Sequence, residues 1–295
     1  MITCVPVFIM YGCSVLSDSQ LKNIKAFATT AKNYSNFPGE AVKRSQQLHY
    51  NNDVLEASVI PDSNQIFRSL ARAKTEFEKG VTFSKKMNLS LQLIKKYAAL
   101  LVQLSSGSYA DELGKSGREL SSDLNGAVDL FNEQLSAKIP ANVGKGISGV
   151  ITIIGDRVIK NKQAKALKKF IPIGDTLVQL TVLNLVAALD EELGPLIQNY
   201  KETFQTDFKV IIFDHVERAD YNMLRFYIKS NEDFTAVESL RKRCIHAAEK
   251  LASSHKQLKE NIMRKKNIGE LLGETKAFVT DVKELYTIVN NISNE

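Results

Sequence analysis

The chain lacks tryptophan and is poor in the residues that interrupt helices, with six prolines and 15 glycines among 295 residues. Long segments therefore carry no helix breaker. Its three cysteines, Cys4, Cys13 and Cys244, are an odd number without repeated spacing, which does not favour a disulfide framework or a zinc site. The alternation of apolar and polar residues that marks a strand is scarce. These absences together predict an all-α protein.

The composition is that of a folded protein rather than a disordered one. Hydrophobic residues make up 44% of the chain and charged residues 24%, which is enough apolar material for a sizeable core. The net charge of +6 is compatible with an anionic partner but does not identify one. Most basic residues alternate with acids along the same segments, the pattern of solvated helix faces.

Apolar residues recur at spacings of three and four over several long segments, which is typical of amphipathic helices. The clearest begins at Asp62-Ser63, which are good capping residues, and continues to about Ser105. A helix of this length measures roughly 65 Å at 1.5 Å per residue. The sequence therefore predicts an elongated bundle of long antiparallel amphipathic helices with coiled-coil-like packing, over residues 14–295 as a single domain.

Four short motifs mark expected interruptions in these helices. Phe37-Pro38-Gly39 is expected to break the first helical region, which starts near Ser17. Pro172-Ile-Gly174-Asp175 predicts a kink or cap. Leu193-Gly194-Pro195 and Ser230-Asn231 predict two further breaks, with a new helix beginning after each.

The chain contains no recognisable catalytic or nucleotide-binding motif. Lys145 follows Gly144 but lacks the upstream glycine and the following Ser or Thr of a phosphate-binding loop. None of the four histidines has a carboxylate or second histidine three or four residues before it, so each is expected to be solvated or half-buried. Cys244 lies on an apolar stripe and is expected to be a small core residue. We therefore expect no enzymatic activity, cofactor, metal or nucleic acid.

Residues 144–189 form the most unusual segment, which is apolar, then basic, then apolar. It predicts a central helical hairpin. Its middle carries six cations with no acid between Asp156 and Asp175. These candidate membrane or partner contacts are Arg157, Lys160, Lys162, Lys165, Lys168 and Lys169.

Three interpretations of the hairpin remain open: a buried pair of core helices, a membrane-active element, or a docking surface for a partner. The cations would be attracted to anionic head groups by about 1 kcal/mol each near a membrane surface. Asp175, Gln179 and Asn184 oppose an ordinary transmembrane span, because a charge at the bilayer centre costs roughly 3 kcal/mol. Long helices around an apolar hairpin are loosely similar to α-helical pore-forming toxins, an architectural analogy without a shared motif.

The first thirteen residues combine an uncharged apolar run, Ile2–Tyr11, with Gly12-Cys13 at its end. A run of this length suits the apolar region of a signal peptide. It resembles the lipobox of bacterial lipoproteins, and the resemblance implies that Cys13 is lipidated and becomes the mature N-terminus. The alternative is a short buried segment with an incidental cysteine, since no Lys or Arg precedes the run.

We therefore expect a lipid-anchored protein of the bacterial cell envelope, facing the periplasm or the exterior, with a secreted or cytoplasmic protein as the alternative. Its expected role is that of a non-enzymatic structural or interaction module, which contacts a membrane through its anchor and a protein partner or itself through its helices. The alternative is a membrane-inserting effector of the pore-forming type that uses residues 144–189.

Overall fold

A computed structural model describes residues 16–106, 109–135, 138–154, 160–214, 220–264 and 272–294. All regular secondary structure in these ranges is helical, as the sequence predicts. The elements are α1 Asp18–Tyr34, α2 Pro38–Ser58, α3 Ser63–Ser105, α4 Tyr109–Gln134, α5 Ala141–Ile154, α6 Lys160–Ala187, a π-helical segment Ala188–Leu193, α7 Gly194–Asp214, α8 Tyr221–Arg264 and α9 Leu272–Asn294.

The starts of α1 and α3 follow local capping chemistry. Ser17 accepts a hydrogen bond from the Gln20 backbone N–H, and the Gln20 side chain accepts one from the Ser17 N–H, which completes a capping box. Asp62 Oδ1 accepts from the Asn64 N–H at 2.8 Å and caps α3. The expected start and end of α3 and the break at Phe37-Pro38-Gly39 are both confirmed.

One expected break is wrong. The helix α8 continues through Ser230-Asn231, because Ser230 is buried and the Asn231 side chain donates to the Tyr227 carbonyl within the helix. Pro172 lies inside α6, so the motif Pro172-Ile-Gly174-Asp175 does not cap a helix. At Leu193-Gly194-Pro195, α6 and α7 are joined by the π segment without a gap.

The π segment explains how the chain passes Pro195 while remaining helical. Gly194 begins α7, so Pro195 lies in its first turn, where a missing N–H leaves no hydrogen bond unmade. Arg241 of α8 donates to the Leu189 carbonyl at 3.0 Å and to Asp190 Oδ1 at 2.9 Å. A helix from elsewhere in the chain thus satisfies a polar group of the irregular turn.

Helix α8 is antiparallel to α6 and α7, and the contacts along it define two ends of the bundle. Residue 255 contacts residue 175, residue 241 contacts residue 189, and residue 231 contacts residue 205. Helix α1 is also antiparallel to α8, since Tyr34 Oη donates to the Cys244 carbonyl and Phe27 packs on His255. The starts of α1 and α6 therefore lie at one end, and the start of α8 lies at the other.

The turn between α2 and α3 lies at the same end as the start of α8. Asn52 of α2 donates to Asp207 of α7 at 2.9 Å, and each residue lies about two helical turns before the end of its helix. Ser17 and Phe213 therefore lie at opposite ends of the bundle. The 44 residues of α8 at 1.5 Å each place them about 65 Å apart along its axis.

A single cluster of apolar side chains forms the core of the described residues. Its largest fully buried members include Phe27, Tyr34, Tyr97, Phe170 and Phe278. Complete burial of such a side chain contributes roughly 1.5–3 kcal/mol, so α1, α3, α6 and α9 are held mainly by these contacts. Cys244 is fully buried, which confirms its expected place in the core.

The central hairpin is formed by α5 and α6, which pack against one another. Val143, Ile147 and Phe170 are buried, and a Cβ on Gly146 would lie 2.8 Å from Ile173. The absence of a side chain at Gly146 therefore allows the two helices to approach closely. The described part of the hairpin is packed as core, which agrees with the first of its three interpretations.

Candidate functional site

The sequence-predicted contact residues lie at the end that holds the start of α6. Lys165 and Lys169 are exposed, and Lys162 and Lys168 are partly exposed. Between them Ala164, Ala166 and Leu167 face the core, so this segment is an amphipathic helix start. Lys160 is the first residue of α6. Cys13 and Arg157 lie outside the described residues.

The main buried polar network joins α3, α6 and α8 and lies nearer the end of the bundle that holds the start of α6. His255 Nδ1 lies 3.0 Å from Asp175 Oδ1, and His255 Nε2 lies 2.7 Å from Tyr97 Oη. Lys259 Nζ donates to Asp175 Oδ2 at 2.7 Å. Gln179 donates to the Ala252 carbonyl at 3.0 Å beside them. The carboxylate of Asp175 thus joins α6 to α8, and His255 extends the link to Tyr97 of α3.

The protonation states of this network follow from its partners. Burial raises the pKa of Asp175, but hydrogen bonds from His255 and Lys259 outweigh burial and hold that pKa well below its usual range. Burial lowers the pKa of His255 despite the nearby carboxylate. An ionised Asp175 only accepts, so the neutral imidazole carries its proton on Nδ1 and accepts from the Tyr97 hydroxyl on Nε2. Burial, with the charge of Asp175, raises the pKa of Tyr97.

Close packing seals Tyr97 and His255 from solvent, whereas the Lys259 side chain at the edge of the network is 40% exposed. Tyr97 is 1% exposed and His255 is 0% exposed. Phe170 stacks on Tyr97 with ring centroids 5.0 Å apart, and Phe27 covers the imidazole at 5.5 Å. A Cβ on Gly174 would overlap the Tyr97 ring, so the close approach of α3 and α6 needs glycine there. The arrangement resembles a hydrogen-bonded catalytic chain in chemistry, but its enclosure suits a structural link.

The expectation that each histidine is solvated or half-buried is wrong for His255. Its partner Asp175 is 80 residues away in sequence, so a search at helical spacing does not find it. A signal was nevertheless present, because Asp175 interrupts the apolar run of residues 170–189 and a buried charge needs a partner.

A second polar cluster lies between α2 and α7 and contains three carboxylates, those of Asp53, Glu56 and Asp207. Asn52 Nδ2 donates to Asp207 at 2.9 Å and to Glu56 at 3.3 Å. Burial raises the pKa of Glu56 to about 7, with further contributions from its hydrogen bond to Asp207 and from the charges of Asp207 and Asp53. Burial also raises the pKa of Asp53, against the lowering effect of His49.

Exposed apolar side chains gather at the end that contains this carboxylate cluster. Seven of the ten large hydrophobic residues that are exposed within the described ranges lie close to the turns between α2 and α3 and between α7 and α8. We call this group the apolar end: Val54, Phe67, Val210, Phe213, Tyr221, Leu224 and Ile228. Phe213 is 88% exposed, and Phe67 is 71% exposed. Sequence periodicity did not single them out, because their neighbours supply the buried stripes.

The basic cluster Arg241-Lys242-Arg243 is engaged within the bundle. Arg241 is buried and pairs with Glu238 at 2.7 Å as well as with Asp190. Lys242 contacts Glu238 at 3.4 Å. Arg241 therefore supports the π segment instead of facing solvent.

Among the residues that the structure describes, no group of three or more His, Cys, Asp or Glu side chains is placed to hold a metal ion. One helical stretch, Lys162–Phe213, contains an 18-residue window long and apolar enough to cross a membrane by length and composition, with half of that window buried inside the bundle. Core helices of soluble proteins pass the same test.

Comparison of the chain with protein families, with curated proteins and with solved structures finds no match in any of the three.

Proposed function

We propose that the protein is a non-enzymatic helical-bundle lipoprotein of the bacterial cell envelope that acts as a structural or interaction module. The observation that carries an interaction role is the apolar end, where seven of the ten exposed large hydrophobic side chains of the described residues gather. Monomeric proteins rarely expose large apolar patches unless these bind something.

The polar chemistry of the bundle supports a role without catalysis. Tyr97, His255 and Asp175 are joined to one another and enclosed, which leaves their reactive atoms out of reach of a substrate. A general acid or base has to lie within hydrogen-bond reach of the group that it serves. The network therefore contributes rigidity to the module.

The anchor is supported by the lipobox-like segment that ends at Gly12-Cys13. Fractionation of cells that express the full chain tests it, with and without globomycin, an inhibitor of lipoprotein signal cleavage. We expect lipid-labelled protein in the membrane fraction, accumulation of a precursor under globomycin, and loss of labelling in Cys13→Ala. Unlabelled, uncleaved protein in the cytosol would overturn the anchor.

A second candidate function is that of a membrane-inserting effector of the pore-forming type. The observation that favours it is the α5–α6 hairpin, in which an apolar helix with three glycines packs next to a basic helix start. Dye release from vesicles tests it. Release that disappears when Arg157, Lys160, Lys162, Lys165, Lys168 and Lys169 are changed to Gln supports the effector, and no release from anionic vesicles at any protein concentration rejects it.

A further inference from the structure

We propose that the apolar end is a docking surface for the face of an anionic lipid bilayer. The proposal goes beyond the envelope module described above because it concerns the end opposite to residue 17 and needs no lipid on Cys13.

The apolar end consists of side chains that suit the interfacial layer of a membrane. On α8, Tyr221, Leu224 and Ile228 are spaced three and four residues apart and are all exposed, so they share one helix face. On α7, Val210 and Phe213 are likewise three apart. Their neighbours Phe208 and Tyr227 pack against each other at 4.5 Å and hold the two helices together. The packed ends of α7 and α8 therefore expose two short apolar stripes to solvent.

Phe67 adds an aromatic side chain on α3 at the same end of the bundle. It lies about one turn after the start of α3 at Ser63, and Val54 lies about one turn before the end of α2 at Ser58. The Asn52–Asp207 hydrogen bond places these helix ends at the level of Phe213. Phenylalanine and tyrosine at a helix turn are the groups that interfacial anchors insert below the head groups.

The cations and the carboxylates near the apolar end differ in how exposed they are. Five cations near the apolar end are exposed: Arg68, Arg72, Lys74, Lys209 and Arg225. The carboxylates of Asp53, Glu56 and Asp207 instead lie partly buried in the cluster between α2 and α7. Among the described side chains near the apolar end, exposed cations therefore outnumber exposed carboxylates.

Among the exposed acids that the structure describes near the apolar end, Asp62 and Asp220 are helix caps, and Glu232 lies one turn after Ile228 on α8. Asp62 accepts from the Asn64 N–H, and Asp220 accepts from the Met223 N–H, each at 2.8 Å. Their negative charges face the positive ends of α3 and α8. They therefore oppose the outward cations less than free carboxylates would.

This charge pattern favours a membrane over a second copy of the chain. Two apolar ends brought face to face would place like charges against one another, which is unfavourable for association. A bilayer with anionic lipids supplies negative head groups for the cations and an apolar layer for Phe67, Phe213 and Tyr221.

Vesicle co-sedimentation tests the proposal, with the full chain carrying Cys13→Ser so that no acyl chain contributes. Phosphatidylcholine vesicles with and without half phosphatidylglycerol are the probes. We expect binding to the anionic vesicles, at least about tenfold weaker binding to neutral ones, and a loss of about tenfold or more in Phe213→Asp/Tyr221→Asp. The Lys209→Gln/Arg225→Gln variant is expected to bind the anionic vesicles several-fold more weakly than the parent, and this difference is expected to become smaller at high salt.

Two matched variants control the experiment. Leu183 is 70% exposed but lies midway along the bundle, so Leu183→Asp is expected to bind as the parent does. Lys165→Gln/Lys169→Gln alters the opposite end and is also expected to leave binding unchanged. Helical circular dichroism and the Tm of each variant show that the fold is kept, since all of these side chains are exposed.

Three outcomes would overturn the proposal: equal loss in Leu183→Asp, loss only in Lys165→Gln/Lys169→Gln, or equal binding to neutral vesicles. A dimer in sedimentation analysis that Phe213→Asp/Tyr221→Asp abolishes, without vesicle binding by the parent, would assign the surface to a second copy instead. Because the Cys13→Ser chain carries no acyl group, a failure to bind vesicles would leave the globomycin result on Cys13 intact. A failure of the globomycin test would likewise leave the vesicle-binding result intact.

Discussion

Two carboxylate sites in this bundle have pKa values that are shifted in opposite directions. Asp175, nearer the end that holds the start of α6, has a pKa held well below its usual range, whereas Glu56, near the apolar end, has a pKa raised to about 7. Burial raises the pKa at both sites. The difference lies in the partners, because Asp175 faces Lys259 and an imidazole N–H, while Glu56 faces the carboxylates of Asp207 and Asp53.

Asp175 belongs to a site that links helices, whereas Glu56 belongs to a site that binds a proton near neutral pH. The charge of Asp175 is satisfied by groups on α8, so ionisation there favours the packed state. The charge of Glu56 is opposed by its neighbours, so near neutral pH this site holds a proton that it can release. The first site belongs to the core, and the second lies beside the proposed membrane surface.

The largest expected effect is the removal of the Asp175 carboxylate. Asp175→Ala leaves the buried His255 donor unsatisfied and the partly exposed Lys259 without its acceptor, and we expect a loss of about 2–3 kcal/mol in the free energy of unfolding. Urea denaturation measures it. The exposed Asp129 provides the control, with an expected change within about 0.5 kcal/mol for Asp129→Ala. A loss below about 1 kcal/mol for Asp175→Ala would show that the network does not hold the helices.

The next effect tests the packing around that network. A Cβ on Gly174 overlaps the ring of Tyr97, so Gly174→Ala is expected to cost about 1–3 kcal/mol of stability. A Cβ on Gly126 in α4 meets nothing within 4 Å, and Gly126→Ala is expected to stabilise the fold by about 0.5–1 kcal/mol. Thermal unfolding of both variants measures the contrast, and equal effects of the two alanines would contradict it.

The third prediction concerns the pH dependence of the outer cluster. The folded-state pKa of Glu56, about 7, lies above its ordinary value of 4.5. The stability that it contributes is therefore complete below about pH 4.5 and is lost as the pH rises to about 7. Glu56→Gln is expected to gain about 1 kcal/mol over the parent at pH 8 and little at pH 4.5, after allowance for solvent screening.

Urea denaturation between pH 4.5 and 8 measures the difference between Glu56→Gln and the parent chain. The matched control is Glu119→Gln, an exposed glutamate of α4, whose difference from the parent is expected to stay constant with pH. A constant difference for Glu56→Gln as well would remove the contrast between the two carboxylate sites.

The smallest expected effect comes from a cation at the rim of the outer cluster. The positive charge of Arg72 lowers the pKa of Glu56, so Arg72→Gln is expected to raise that pKa by less than about 0.5, since the arginine is exposed and screened. Carbon NMR of the Glu56 carboxyl measures the titration. Arg68→Gln is the control and is expected to leave it unchanged, and a fall of the pKa in Arg72→Gln would contradict the prediction.

The sequence predictions were accurate where the interactions join residues close in the chain and failed where they join distant residues. The limits of α3 were predictable because capping by Asp62 and the spacing of apolar residues act within a few residues. The break at Ser230 was predicted wrongly, and the interruption before Gly194 is a π segment rather than a gap, because a buried environment and Arg241 stabilise the helix at those points from elsewhere in the chain. The basic helix start was visible in the sequence, and its position at one end of the bundle was not.

The sequence by itself determined that this protein is a bundle of long helices, since few breakers and a regular apolar spacing leave little alternative. Tertiary structure alone decided which polar residues meet. Asp175 meets His255, and Glu56 meets Asp207, through contacts between residues far apart in the chain. The physical reason is that helix formation depends on local spacing, whereas burial, charge pairing and pKa depend on what a distant helix brings to the same place.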